Sequence, residues 1–183
     1  MNLIVGCDPG FSGAFCFMAD NEIRVVSMPI LKAPKAILDE AAIKSILQLD
    51  EEAIKSILQD DGTLENAIRR ARQGQIAHFF IERAIVMPGQ GIVSSGRFME
   101  QYGFLKGLCV GLGIPYTVIS SVRWKKVLMD GMPKEKDAAL VRVAQLYPGL
   151  RLTGPKVSRI GQADAVLIAH YGQLILTSPN RAQ

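Results

Sequence analysis

The sequence predicts an α/β domain built on a mixed five-stranded sheet, an antiparallel meander followed by parallel strands, with helices on its faces. Three observations carry that prediction. Three short apolar runs separated by turn residues open the chain, and from residue 76 onward runs of strand length alternate with stretches of helical period. A length of 183 residues, 49% hydrophobic and 21% charged, fits one domain with a full core and excludes a disordered chain.

The elements follow in order. LIVGCDPGFSGAFCFMA gives two apolar runs split by Pro9, Gly10 and Gly13, and EIRVVSMPI gives a third, so Asp8 falls at the end of the first strand. Residues 38–48 (LDEAAIKSILQ) and 49–59 (LDEEAIKSILQ) differ only at Ala41 against Glu52. A period of eleven is close to three helical turns, so each copy presents one apolar stripe: Leu38, Ile43, Ile46 and Leu47, then Leu49, Ile54, Ile57 and Leu58. Two copies are too few for a solenoid, and the duplication reads as a local helical insertion. LENAIRRARQG resumes a helix to Gly74, and IAHFFIE at 76–82 is a strand that stops on a carboxylate. MPGQGIVSSG at 87–96 has the composition of a mobile loop. RFMEQYGFLKGLCVGLG then reads as a helix, GIPYTVIS as a strand, SVRWKKVLM and KEKDAALVRVAQLYP as two helices, and GQADAVLIAHYGQLIL as the last, with Ala163, Val166, Leu167 and Tyr171 on its apolar side.

Charge is unevenly spread. The net +4 divides into 11 basic and 13 acidic residues over 1–122, and 10 basic and 4 acidic over 123–183. The positive field belongs to the C-terminal third, a weak pointer to nucleic acid. Cys7, Cys16 and Cys109 form no CxxC pair, which argues against zinc or a disulfide framework. The start MNLIVGCDPG has neither a charged leader nor a long apolar run, so a cytoplasmic or organelle-matrix location is expected, without secretion or a membrane span.

Three acids stand in apolar surroundings where charge is costly: Asp8 after LIVGC, Glu82 after HFFI, and Asp164 within GQADAVLIA. A turn-capping Asp or an Arg-paired Glu would explain any one of them. Two strand ends and a late helix, each with an acid, match the order of the ribonuclease H-like fold. The stretches GCDPGFSGA (6–14), IERAIVMPGQG (81–91), YGFLKGLCVGLGIPY (102–116), VRWKKVL (122–128), KEKDAALVRVAQLYP (134–148) and ADAVLIAHYG (163–172) resemble Holliday-junction resolvases of the RuvC type, closest to the phage and plastid branch. Only residues 31–75 lie outside the resemblance.

The resemblance implies a metal-dependent endonuclease with Asp8, Glu82 and Asp164 as catalytic and metal-binding acids. Oxygen donors favour Mg²⁺, with Mn²⁺ as a substitute, over Zn²⁺. Two ions about 4 Å apart would activate water and stabilise the leaving 3′-oxygen. The family's usual fourth acid, a few residues before the final Asp, is missing: residues 138–163 hold no Asp or Glu, and Arg159, Ile160 and Gly161 fill that window. Either three carboxylates suffice, or cleavage is weakened and junction binding is kept.

DNA contacts are expected from Gln90, Ser94, Ser95 and Arg97 in and beside the glycine-rich loop, and from Arg123, Lys125, Lys126, Lys134, Lys156 and Arg159. The partner is branched DNA, four-way junctions above all, recognised by shape. Trp124 admits either a core or a base-stacking role. Gly103, Gly107 and Gly111 recur every four residues, a bare helix face for packing inside the protomer or across a two-fold homodimer, the latter favoured by the resemblance. A phosphotransferase of the actin and sugar-kinase type, which also uses an acid-containing first turn, is disfavoured by the short length and the lack of a Walker-type loop.

Overall fold

A computed structural model of the chain describes residues 3–19, 22–31, 37–48 and 76–177. The second copy of the duplication and the helix expected over 64–74 lie outside the described residues. Five strands form one sheet: β1 (Leu3–Asp8), β2 (Ala14–Ala19), β3 (Glu22–Ser27), β6 (Ile76–Glu82) and β7 (Tyr116–Ile119), in the order β3-β2-β1-β6-β7. The first three pair antiparallel, and β6 and β7 add parallel to β1, which is the mixed sheet the sequence predicts. Two short strands, β4 (Ile30–Leu31) and β5 (Ile37–Leu38), pair separately.

Five described helices follow: α1 (Glu40–Leu47), α2 (Ile92–Gly111), α3 (Ser121–Leu128), α4 (Ala138–Leu146) and α5 (Lys156–Thr177). Asp39 caps α1 by accepting from the Ala42 N–H at 3.0 Å, so the first copy of the duplication becomes a strand end, a cap and a helix. Its expected stripe is buried at Leu38, Ile43, Ile46 and Leu47. Ser120 caps α3 through the Arg123 N–H at 3.3 Å, and Lys125 and Lys126 occupy its last turn, where cations suit the helix dipole.

Strand alternation divides the core into two layers. Leu3, Val5, Cys7, Phe79 and Ile81 point to the side covered by α1 and α2, where Leu105 and Cys109 pack. Ile4 and Phe80 point to the other side, covered by α3, α4 and α5. Helix α5 lies against the centre of the sheet at backbone distance. A Cβ on Gly6 would stand 2.4 Å from both the Ala165 carbonyl oxygen and the Ala169 nitrogen, so only glycine at that strand position admits the helix.

Three element boundaries depart from the sequence reading. Helix α2 begins at Ile92, so Ser94, Ser95 and Gly96 belong to its first turns and the loop ends at Gly91; Ser95 N–H already donates to the Gly91 carbonyl at 2.9 Å. Composition alone marks glycine and serine as loop formers, yet the backbone hydrogen bonds of a 20-residue helix run through them. The 134–148 stretch is helical only from Ala138 to Leu146, with Asp137 at the N-cap position, while Lys134, Glu135 and Lys136 line a groove. The last helix starts five residues before the expected Gly161, immediately after Pro155, whose carbonyl accepts from Arg159 N–H at 3.0 Å.

Candidate active site

Period two in the strands puts the carboxylates on one side. Asp8 has the parity of Ile4 and Gly6, and Glu82 that of Phe80, so both side chains belong to the face that α5 covers. Cys7 pairs with Ile81 in the parallel ladder, which places Asp8 and Glu82 at adjoining strand ends. Asp164 comes down onto the same point from α5, one residue before the Ala165 that touches Gly6. The structure thus places all three acids singled out in the sequence at one end of the sheet, on the face that α5 covers.

Their electrostatics are coupled. Burial pushes Glu82 up to about 7, helped by the charge of Asp8 and opposed by Lys125, Trp124 and Ser121. Burial likewise pushes Asp164 up to about 7, with Lys125 opposing and Asp8 and Glu82 adding to the rise. Asp8 is raised by burial and held back by the Gly10 N–H, which donates to its Oδ1 at 3.3 Å, and by Lys125. Three partly buried carboxylates that feel one another, with a single lysine in reach of all three, make a site short of positive charge. The donor set is all oxygen and suits a hard divalent cation. Among the described residues no three His, Cys, Asp or Glu side chains are gathered closely enough to hold one ion as they lie.

Within the window where the resemblance expects a fourth acid, Gly161 has no room for a side chain. Gly161 lies one helical turn before Asp164, and a Cβ there would stand 2.1 Å from the Ser12 carbonyl oxygen and 2.8 Å from Gly13 Cα. The turn between β1 and β2 occupies the place a side chain would need. That turn is itself closed, with Gly13 N–H donating to the Gly10 carbonyl at 2.8 Å and a Cβ on Gly13 falling 2.1 Å from the Asp8 carbonyl oxygen.

A groove of about 890 Å³ leads away from the acids. Asp8, Ser12 and Asp164 line it together with Lys125, Lys126, Lys134 and Lys136, so three of the expected DNA contacts share a surface with two of the carboxylates. The other expected contacts are scattered. Lys156 is paired with Asp137 at 2.6 Å, Arg159 has a buried Nε without a partner, and the exposed Gln90 accepts from Met87 N–H at 3.2 Å. Ser94 is exposed, while Ser95 and Arg97 are half-buried on α2 and Arg123 is exposed on α3. Gly103, Gly107 and Gly111 are exposed, and a Cβ on any of them would meet nothing within 4 Å, so no packing inside the described protomer explains them.

Trp124 is fully buried and belongs to the core. Sequence reasoning missed that it and Ser121 face Glu82. The signal was present in the topology, since Glu82 pairs with Ile119 at the end of β7 and the first turn of α3 follows at once.

Fold and site together define a ribonuclease H-like domain with a carboxylate centre at adjoining ends of two parallel strands. Within that class the chain has the RuvC-type architecture. Thermus thermophilus RuvC in complex with a Holliday junction substrate superposes with a TM-score of 0.55 at 12% identity, covering 97% of this chain and 96% of that one. The chloroplastic Holliday junction resolvase MOC1 of Chlamydomonas reinhardtii is 30% identical over 92 residues, half of this chain. The match spans only 10% of that relative's length. No protein-family model matches the chain.

Proposed function

We propose that the chain is a structure-selective DNA endonuclease that resolves four-way (Holliday) junctions, leaving 5′-phosphate and 3′-hydroxyl ends. One observation carries the reading: on a RuvC-type fold, two of three mutually sensitive carboxylates, Asp8 and Asp164, line a groove together with four lysines. The name of the MOC1 relative and the junction held by the RuvC neighbour support the same substrate.

Asp8, Glu82 and Asp164 would hold divalent cations, Mg²⁺ with Mn²⁺ as a substitute, two per site. Bound there, such ions supply Lewis acidity to the attacking water and to the leaving oxygen of a scissile phosphate. Lys125 moderates the repulsion among the acids, and Lys126, Lys134 and Lys136 provide a phosphate track along the groove. The bare glycine face of α2 supports a two-fold homodimer, which would present two equivalent sites to opposed strands. No described helix is long and apolar enough to cross a membrane.

The test is a Mg²⁺-titrated cleavage assay on a synthetic four-way junction beside an equal-length duplex. Paired nicks in the junction, abolished by Asp8→Asn or Glu82→Gln, are the expected result. Equal binding to both DNAs at moderate salt would overturn it. A second reading, a junction-binding protein with weakened cleavage, is favoured by the closed space at Gly161. It predicts tight junction binding with intact strands at every Mg²⁺ and Mn²⁺ concentration.

A further inference from the structure

Trp124 is the sole tryptophan of the chain, and it is fully buried. Its indole Nε1 is also buried and completes no hydrogen bond within 3.5 Å. Indole is a donor only, and a buried donor without an acceptor is costly, so such a group in a packed core calls for a reason. Glu82 pairs with Ile119 at the end of β7 and α3 follows at once, so its carboxylate lies beside the first turns of α3, which carry Ser121 and Trp124, and both groups act on its charge. The backbone explains the meeting. Arg83 N–H donates to the Ile119 carbonyl at 2.7 Å, tying the end of β6 to the end of β7, and Ser120 then caps α3 so that its first turn overhangs Glu82. Lys125 Nζ lies 5.0 Å from the Trp124 ring centroid and is in charge reach of the same carboxylate, so one short helix presents a hydroxyl, an indole and an ammonium group to it.

We propose that Trp124, assisted by Ser121, is a positioning residue for Glu82: its indole N–H takes one carboxylate oxygen and leaves the other for a divalent cation. Outer hydrogen bonds of this kind fix the orientation of a ligating group and raise its affinity for metal. The indole hydrogen bond is open in the structure, and it is expected to close when Glu82 engages a cation. The inference rests on the proposed metal-dependent reading of the site.

The experiment uses the full chain without DNA. Because there is one tryptophan, the ¹H–¹⁵N spectrum contains one indole N–H resonance, and calorimetry of Mg²⁺ binding is run on the same sample. Saturating Mg²⁺ is expected to move the indole proton downfield and slow its exchange with solvent, as a shortened hydrogen bond requires. Trp124→Phe, which keeps the ring and removes the donor, is expected to weaken Mg²⁺ binding on the order of 10-fold, and Ser121→Ala by less. Calorimetric Mg²⁺ binding with an unmoved indole resonance would overturn the positioning role while leaving the metal site standing. No Mg²⁺ binding at all would instead remove the metal reading on which it rests. Should Trp124→Phe fail to fold, the resonance of the unaltered chain and the affinity of Ser121→Ala still decide the matter.

Discussion

Replacing Gly161 by alanine tests how the site is assembled, because two effects of opposite sign meet there. In an open helix face, glycine to alanine stabilises by about 0.5–1 kcal/mol through backbone entropy. At Gly161 the added Cβ would stand 2.1 Å from the Ser12 carbonyl oxygen, 2.8 Å from Gly13 Cα and 2.9 Å from the Ser12 carbonyl carbon. All three are backbone atoms. They belong to a turn that cannot retreat easily, held by the Gly13 to Gly10 and Gly10 to Asp8 hydrogen bonds and packed against Asp8 itself. Overpacking of that kind costs about 1–3 kcal/mol and at rigid sites more, which exceeds the helix gain. At the upper part of that range, about 2–3 kcal/mol, the net loss after the helix gain is about 1–2.5 kcal/mol, so with about 2–4 °C per kcal/mol for a chain of this size, Gly161→Ala should melt roughly 2–10 °C below the parent in a thermal unfolding scan. Gly161→Asp, which writes the missing acid back, should lose at least as much and gain no Mg²⁺ affinity. A melting temperature equal to or above the parent's would refute the steric account, since it would mean that only the helix term operates.

The remaining predictions concern charge and assembly. Glu82 and Asp164 are both raised to about 7 from ordinary values of 4.5 and 3.8, so the folded protein binds their protons more tightly than the unfolded chain does. Their contribution to stability is present below about pH 4 and is lost as pH rises through about 7, so a scan in chelator should fall by a few kcal/mol in order of magnitude from pH 5 to 8. Mg²⁺ should recover the loss at pH 8, Asp164→Asn should flatten the profile, and a chelated protein that grows more stable toward pH 8 would contradict the assignment. Lys126→Ala and Lys134→Ala should each lower the salt slope of junction binding by about one, measured by titration at several ionic strengths, with little effect on melting because both side chains are exposed. If the proposed homodimer forms through the glycine face of α2, Gly107→Leu should convert it to monomer by sedimentation without loss of fold, since nothing in the described protomer lies within 4 Å of the new Cβ; a variant that remains dimeric places the interface elsewhere.

Local pattern was enough to find Asp8, Glu82 and Asp164. An acid that ends an apolar run of strand length, or interrupts an apolar helix, is visible in one dimension because its neighbours declare their burial. The first copy of the duplication was legible for the same reason, its stripe of Leu38, Ile43, Ile46 and Leu47 being the buried side of a capped helix. Element ends were less legible. The start of α2 at Ile92 is decided by backbone hydrogen bonds that run through serine and glycine, and composition does not report them.

The sequence by itself therefore determined the sheet, the order of its strands along the chain and the three acids, since alternation and period follow from single residues and their near neighbours. Tertiary structure alone decided how close those acids come and what surrounds them. That distance depends on glycines whose role is the absence of a side chain: Gly6 admits α5 to the sheet, and Gly161 admits the β1–β2 turn where a fourth carboxylate would stand. Only packing also turns Trp124 and Ser121 toward Glu82 across two strands and a helix start. Contacts between residues 39 to 163 positions apart carry no periodic signal, because they are made by the meeting of elements and not by any one of them.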